Sequence, residues 1–423
     1  MGWGLDINDF KHAFFNQESL DFFSNDYPEQ IKCIFSVDSN HIKVMSQLDR
    51  PSNICSNRGT VELFHDSELF EAKITISIIK HNFLSFEGSV REVVFDSKKH
   101  KPVNKIIYLI AGTESYFIHN NFSWKRTYKL KSKSYTINYS FILNRICAQI
   151  DEGIMSDEDE FNEISNNIDN EVFVICQSYS FCRSSKVEWV EKAFYSDKDN
   201  KLYHYISSNA PSKFYNMINP MRSDNRLWNN FIQHVTTKNI TKEQLLDKQV
   251  FQAINNIIWN GTINEWTLIA HAAALESLCK NTEFSVIETK EYKRVRRFLM
   301  NNLSENLNKF NISEDCFNTI KQNICNNDRT LNGYPTKWYI KQELERNGLE
   351  KYSCENLSKI SKAIGMRNVI VHEGWSDDWD SDIYEYIKIL RDTICLIIFS
   401  FYDYSGEFYL LNDNDPVSLS DYH

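Results

Sequence analysis

The stretch that decides the fold of the C-terminal half is LSKISKAIGMRNVIVH, residues 357–372. Its apolar residues Leu357, Ile360, Ile364 and Val371 are spaced as on one side of a helix, which predicts a helix with an apolar face. Arg367 lies on that face. A guanidinium group cannot lose its proton, so an arginine there needs a carboxylate, a carbonyl, a subunit interface or a bound phosphate as its partner.

A histidine closes this stretch five residues after the arginine. On an ideal helix Arg367 and His372 point about 140° apart, given roughly 100° per residue. The two need not pair within one helix, so a site that uses both can draw on a second copy of the chain. Gly374 stands where a left-handed cap is wanted and predicts that the helix ends around His372 to Glu373. The negative end of the helix dipole there favours a protonated imidazole.

Two further helices are predicted beside this one. A long apolar stripe predicts a helix from about Ser381 to Tyr402, and the segment from Trp266 to Lys280 is apolar almost all round. Glu276 lies on an apolar face of that second segment, where a carboxylate needs a cation. Arg367 is the obvious partner, and the alternative is that Glu276 reaches solvent at the rim of the bundle. His271 lies near the polar line of the same helix, so we expect it at the surface.

The spacing of the arginine and the histidine resembles the ribonuclease motif of HEPN domains, which also lies on a late helix of an all-helical domain. The segment AAALESL, residues 272–278, is similar to the first-helix signature of the ApeA-like branch of that superfamily. The resemblance implies a helical bundle that dimerises, with one metal-independent ribonuclease site across the interface. It also implies Arg367 and His372 as catalytic residues and Asn368 as the polar residue at the second position. The alternative is an ordinary helix end that carries charged residues.

The N-terminal half has a different periodicity. From about Ile31 to Tyr205 the chain is rich in short alternating or β-branched runs separated by turn residues, which predicts many strands and few helices. A sandwich or a strongly bent antiparallel sheet would accommodate them. The predicted strands include Cys33 to Val37, His41 to Met45, Lys73 to Ile79, Ile106 to Ile110, Tyr135 to Phe141 and Val172 to Cys176.

The net charge of −10 is concentrated in one segment. Residues 151–171 contain nine acidic residues and no basic residue, so the rest of the chain is close to neutral. We expect this segment to form a solvated loop between strands. If the loop covers a basic surface until a trigger arrives, it has a regulatory role.

Basic residues also cluster. Four of them share one face of a predicted helix, with Arg296 beside it, and such a face can hold the sugar-phosphate backbone of RNA. These four are Lys290, Lys293, Arg294 and Arg297. The alternative is a solvated helix face. A second cluster, between Lys125 and Lys133, alternates with aromatic residues along a predicted strand, as expected of the polar face of a half-buried strand.

Several classes of protein are disfavoured. The opening residues lack the basic, apolar and small-residue pattern of an export signal, which favours a cytoplasmic protein. The longest apolar run, Thr393 to Tyr402, is about half of a bilayer crossing, so we expect a core helix and no membrane association. The ten cysteines include no CxxC pair and no histidine at zinc spacing, which favours reduced thiols and predicts neither a metal nor another cofactor.

These patterns together predict an α+β chain. A β-rich, sandwich-like sensor or regulatory domain occupies residues 1–220, an all-α HEPN-type bundle occupies 221–405, and a polar tail over 406–423 frays. This order is similar to the ApeA type of anti-phage protein. It implies an endoribonuclease, acting as a homodimer or higher homo-oligomer on an RNA substrate, that arrests growth of the infected cell in response to a phage-derived trigger. The alternative is a non-catalytic helical module that binds a nucleotide or a partner, with Arg367 in a structural salt bridge.

Overall fold

The computed structural model divides the chain into two compact units. The first contains Met1–Tyr215 and Ser223–Lys242, and the second contains Asn216–Arg222 and Glu243–His423. The structure describes residues 20–24, 27–38, 41–48, 60–66, 71–81, 85–96, 103–111, 122–130, 133–142, 144–154, 158–196, 201–207, 220–221, 224–258, 264–279, 286, 288–309, 313–326, 335–373, 382–411 and 415–423. The N-terminal part is mainly an antiparallel sheet and the C-terminal part is helical, so the chain is α+β.

The described strands of the first unit form one antiparallel sheet of twelve. They are β1 Leu20–Ser24, β2 Tyr27–Asp38, β3 His41–Leu48, β4 Thr60–Asp66, β5 Glu71–His81, β6 Ser85–Asp96, β7 Val103–Ala111, β8 Phe122–Leu130, β9 Lys133–Ile142, β10 Arg145–Ile154, β11 Glu188–Tyr195 and β12 Lys201–Ser207. Their order is β3-β2-β1-β4-β5-β6-β12-β11-β7-β10-β9-β8, and β3 also pairs with β6. The first six strands therefore close into a ring. Because one continuous sheet contains every described strand, the bent-sheet alternative fits better than two facing sheets.

Alternation of apolar and polar residues positions these strands. In β9 the side chains of Tyr135, Ile137, Tyr139 and Phe141 are buried, and those between them are half-buried. This period of two places one face on the core. Five of the six predicted strands lie inside β2, β3, β5, β7 and β9, and are confirmed.

The acidic segment was predicted wrongly as a loop. It begins in β10 and continues from Glu158 as helix α1, Glu158–Arg183, so the predicted strand Val172 to Cys176 is also wrong. Side chains of α1 are buried almost continuously from Val172 to Arg183. A short apolar run buried all round has no periodicity that separates a helix from a strand. Ile164 and Ile168, both fully buried, give the acidic half an inward face that the count of charges conceals.

The remaining described helices follow the sheet. They are α2 Asn225–Lys238, α3 Lys242–Asp247, α4 Val250–Ile257, α5 Glu265–Cys279, α6 Thr289–Glu305, α7 Glu314–Asn326, α8 Thr336–Arg346, α9 Glu350–Glu373 and α10 Asp382–Phe401. Helix α2 belongs to the first unit, whereas the sequence-based boundary at residue 220 assigns it to the helical domain. Gly348, with φ of +72°, makes the left-handed turn between α8 and α9 that favours glycine. Helices α5, α9 and α10 pack on one another and form the centre of the second unit.

The C-terminal segment is folded, so the prediction that it frays is wrong. Phe408 and Val417 exchange both backbone hydrogen bonds, at 2.9 and 2.7 Å. The Phe408 ring is fully buried and stacks on Phe399 of α10 with a centroid distance of 4.1 Å. Leu419 is also buried, in a 3-10 turn, Leu419–Tyr422. A few apolar residues in a polar segment are enough to attach it to the bundle, because each buried side chain contributes ~1.5–3 kcal/mol.

The length and hydropathy of the helices bear on whether any of them could cross a membrane. No helix within the described ranges combines the length and apolar character that a crossing needs.

Candidate active site

The candidate site is centred on an ion pair between helices α5 and α9. Arg367 of α9 donates a hydrogen bond from Nη2 to Oε1 of Glu276 on α5. The two side chains keep only 20% and 18% of their accessible surface, so the pair is largely removed from water. The structure thus contains the pairing that the apolar positions of both residues predict. The carboxylate fixes the orientation of the guanidinium group as well as offsetting its charge.

The guanidinium group of Arg367 has donors beyond those that Glu276 uses. Its Nε is buried and has no hydrogen-bond partner among the described residues. An arginine carries five N–H donors in a rigid fork, and a phosphate or carboxylate accepts two of them side by side. Because a buried unsatisfied donor costs free energy, an acceptor from outside the described residues would stabilise this arrangement. The arginine is therefore held in place, with one buried donor that no described residue satisfies.

His372 differs from Arg367 in its exposure to solvent and in its contacts. It lies in the last turn of α9, its side chain is exposed, and among the described residues it has no hydrogen bond or ion pair. Helix α9 ends at Glu373, as predicted, whereas the proposed cap Gly374 lies outside the described residues. The two side chains are about 7.5 Å apart along the helix axis, at 1.5 Å per residue. Asn368 is exposed as well.

The apolar stripe of α9 is covered mainly by the chain itself. Ile360 is fully buried, and Ile364 is 7% exposed within one chain. Leu357 is half-buried, and only Val371 is open, at 53% exposure. The stripe is therefore kept from water largely within one chain, because α5 and α10 pack against α9. The open part of the stripe is the end next to His372.

The predicted RNA-binding face lies on a different helix. Lys290, Lys293, Arg294 and Arg297 are all exposed on α6, as predicted, and Arg294 pairs with Glu291 at 2.7 Å. Within the described residues, no ion pair or hydrogen bond joins these four side chains to Arg367 or His372. The structure therefore brings Glu276 and Arg367 together and leaves the basic face as a separate surface.

His271 is the residue that the sequence prediction placed wrongly. It is buried, at 2% exposure, and its Nδ1–H donates to the carbonyl oxygen of Thr267 at 2.7 Å. Burial, and next the positive charge of Arg391, lower the pKa of His271 to about 3. Its Nε2 has no hydrogen-bond partner in the part of the chain that the structure describes. The signal was in the sequence, since a helix that is apolar almost all round has no polar side on which a histidine reaches water.

The arrangement as a whole offers an anchored cation and a free imidazole, which suit anion binding and proton transfer. Among the described residues there is no group of three or more histidine, cysteine or carboxylate side chains placed to hold a metal ion. Comparison with known protein families, with curated proteins and with solved structures gives no match for this chain. The residues of the site are therefore the basis on which a function can be proposed.

Proposed function

We propose that this chain is a metal-independent endoribonuclease of the HEPN type, in which Arg367 and His372 form the catalytic motif. The observation that supports the proposal best is the state of Arg367. Its guanidinium group is oriented by Glu276 and its side chain is four-fifths buried. Its Nε lacks an acceptor among the described residues. A phosphodiester supplies such an acceptor, and a purely structural salt bridge does not require one.

The reaction follows from the chemistry of RNA. Arg367 holds the scissile phosphate while the neighbouring ribose 2′-OH attacks phosphorus and the bond to the 5′-oxygen breaks. The attacking hydroxyl loses a proton and the leaving oxygen gains one, and His372 assists this transfer. The products are a 2′,3′-cyclic phosphate and a 5′-OH end. Arginine offsets the charge that develops on the phosphate oxygens.

The site is proposed to be complete only in a homodimer or a higher homo-oligomer. One chain supplies one arginine and one histidine that point about 140° apart on the same helix. Val371, the residue before His372, is the exposed apolar end of the stripe. A two-fold contact at this end covers Val371 and brings a second Arg367 and a second His372 to the same cleft.

The cellular role is proposed by the same resemblance. The nuclease would act in the cytoplasm, in an anti-phage defence system, and cleavage would arrest growth of the infected cell. The first unit would respond to a phage-derived trigger. The exposed basic face of α6 would hold RNA beyond the scissile phosphate. Among the described residues, Arg294 pairs with Glu291, and no ion pair engages Lys290, Lys293 or Arg297.

The experiment that tests the activity is cleavage of RNA by purified protein in the presence of EDTA. We expect fragments with 2′,3′-cyclic phosphate and 5′-OH ends, identified by mass spectrometry. Protein carrying His372→Ala should not produce them. A His234→Ala variant is the matched control, because that histidine is half-buried on α2 and outside the proposed site. Absence of cleavage of any RNA by the parent, or equal cleavage by the His372 variant, favours the non-catalytic binding module.

A second experiment tests the composite site. Val371→Asp places a charge on an exposed position, so the chain should fold, dissociate into monomers and lose cleavage. Ile142→Asp is the control, because Ile142 is 45% exposed on β9 of the first unit. Sedimentation velocity and circular dichroism report the two properties. A parent that sediments as a monomer at working concentration, with a rate per chain unchanged by dilution, contradicts the shared site.

A further inference from the structure

A cavity lies between α9, α10 and the C-terminal segment. Its volume is about 490 Å³, within the range of ~300–1,000 Å³ that is typical of small-molecule sites. Its walls carry three lysines and three tyrosines, Lys359, Lys362, Lys388, Tyr352, Tyr386 and Tyr422. Positive charge beside aromatic rings is the combination that nucleic-acid-binding sites use for a phosphate and a base.

The lysines are not engaged with the protein. Among the described residues, Lys359, Lys362 and Lys388 have no ion pair and no hydrogen bond. Glu385 and Asp392 also line the cavity, so three positive charges face two negative ones. The carboxylate of Asp392 is buried and accepts a hydrogen bond from the backbone N–H of Leu411 at 2.8 Å. The free side chains of the cavity are therefore predominantly cationic, which favours an anionic ligand.

The aromatic walls are fixed in position. The Tyr352 ring is buried and packs edge-on against Tyr422, with centroids 5.6 Å apart. Its hydroxyl group lies 3.1 Å from Oγ1 of Thr393. Tyr386 is half-buried on the opposite helix, α10. These contacts hold the Tyr352 and Tyr422 rings, and the half-buried Tyr386 adds a ring against which a planar base can stack.

We propose that this cavity binds a nucleoside phosphate, with the phosphate on the lysines and the base against the tyrosines. The ligand is either a free nucleotide or one nucleotide of a bound RNA strand, since both present the same chemistry. Lys362 and Arg367 lie on the same helix, about 7.5 Å apart along its axis. The cavity does not depend on the proposed ribonuclease activity, because its ligand can be measured in protein that does not cleave.

The test is calorimetric titration of the full chain carrying Arg367→Ala, which keeps RNA intact. The probes are adenosine 5′-monophosphate, guanosine 5′-monophosphate, a ten-nucleotide RNA and inorganic phosphate. We expect saturable binding of a mononucleotide or of the RNA, with one nucleotide bound per cavity. Replacing Lys359 and Lys388 together by glutamine should weaken this binding at least about tenfold, because two charge-assisted contacts are lost.

Matched variants separate the base from the phosphate. Tyr386→Leu should weaken binding about tenfold through lost stacking, whereas Tyr386→Phe keeps the ring and should bind as the parent does. Lys337→Gln, an exposed lysine of α8, should have no effect. If the mononucleotides bind and the RNA does not compete with them, the ligand is a free nucleotide. If the RNA binds much more tightly than the mononucleotides, the ligand is one nucleotide of an RNA strand. The proposal fails if neither the mononucleotides nor the RNA bind, or if the lysine variant binds them as tightly as the parent does. It also fails if inorganic phosphate binds as tightly as the nucleotides.

Discussion

Two charged pairs, one in each unit, show how differently this chain uses a buried cation. In the first unit Lys192 donates to Asp169 at 2.7 Å and to Ser165 at 2.9 Å, and Asp169 also accepts from Tyr108 at 2.8 Å. In the second unit Arg367 donates to Glu276, and its Nε meets no acceptor within the described ranges. Both cations are largely buried, with 10% and 20% of the side chain exposed.

The difference indicates which pair stabilises the fold and which remains open for chemistry. The carboxylate and hydroxyl groups around Lys192 satisfy its charge inside the protein, as expected of a structural network. The surroundings of Arg367 fix its direction and, among the described residues, provide an acceptor for Nη2 and none for the buried Nε. Substitutions at the first pair should therefore change stability, and substitutions at the second should change activity.

The largest effect is expected from removing the open cation or the free imidazole. Arg367→Ala and His372→Ala should each lower kcat/KM for RNA by at least ~100-fold, because a group that offsets transition-state charge or transfers a proton is lost. Helicity should change little in either variant. The free energy of unfolding should stay near the parent value in His372→Ala and fall by about 2 kcal/mol in Arg367→Ala, which leaves the largely buried Glu276 without its cation. Arg346→Ala is the control, since Arg346 pairs with Glu343 at 2.7 Å elsewhere in the helical unit. Parent-like cleavage by both variants would place the chemistry elsewhere.

A substitution in the Lys192–Asp169 pair should lower stability and leave cleavage unchanged. Lys192→Met leaves Asp169 without its cation, and we expect a loss of about 2 kcal/mol in the free energy of unfolding, reduced from the value for a fully buried pair because Asp169 is partly exposed. Urea unfolding measures the change. Lys73→Met, at a surface pair with Glu62, should cost less than ~0.5 kcal/mol. If Lys192→Met abolished cleavage without loss of stability, the two pairs would not differ as argued.

Glu276→Gln sharpens the comparison by loosening the open pair without removing it. The arginine keeps its charge and loses its orientation, so the activity should fall about tenfold, less than in Arg367→Ala. The double variant should be no worse than Arg367→Ala alone, because residues that act as a unit are not additive. Steady-state cleavage by the four proteins measures this coupling. Additive losses would mean that Glu276 and Arg367 act independently.

The smallest effect concerns His271 and pH. Its folded pKa of about 3 lies below the unfolded value of ~6.5, so the unfolded chain binds the extra proton. The stabilisation is complete above pH ~6.5 and is lost as pH falls towards 3, with about 1 kcal/mol lost between pH 7 and pH 5.5. His271→Leu should lack this part of the pH dependence, whereas exposed His372→Ala should retain it. Urea unfolding at the two pH values measures the difference, and equal slopes in parent and His271→Leu would contradict it.

Sequence reasoning was most successful where the signal is local. The spacing of apolar residues predicted both ends of α5 and α10 and the C-terminal end of α9 to within a few residues, because the helical period is visible in the side chains of one segment. The same local signal failed at Val172 to Cys176, where an apolar run fits a buried helix as well as a strand. It also failed in the acidic segment, whose carboxylates pair with the sheet: Glu171 lies 2.8 Å from Arg126 in the tertiary structure.

The sequence by itself determined that Arg367 stands on an apolar face and must find a partner, since a guanidinium group stays charged wherever the chain places it. It also determined that His372 ends a helix. Only the tertiary structure decided that Glu276, 91 residues away, is the partner, that Nε remains open, and that His271 is buried. These properties depend on which helix faces pack together, and contacts between distant segments leave no periodic signal in either segment alone.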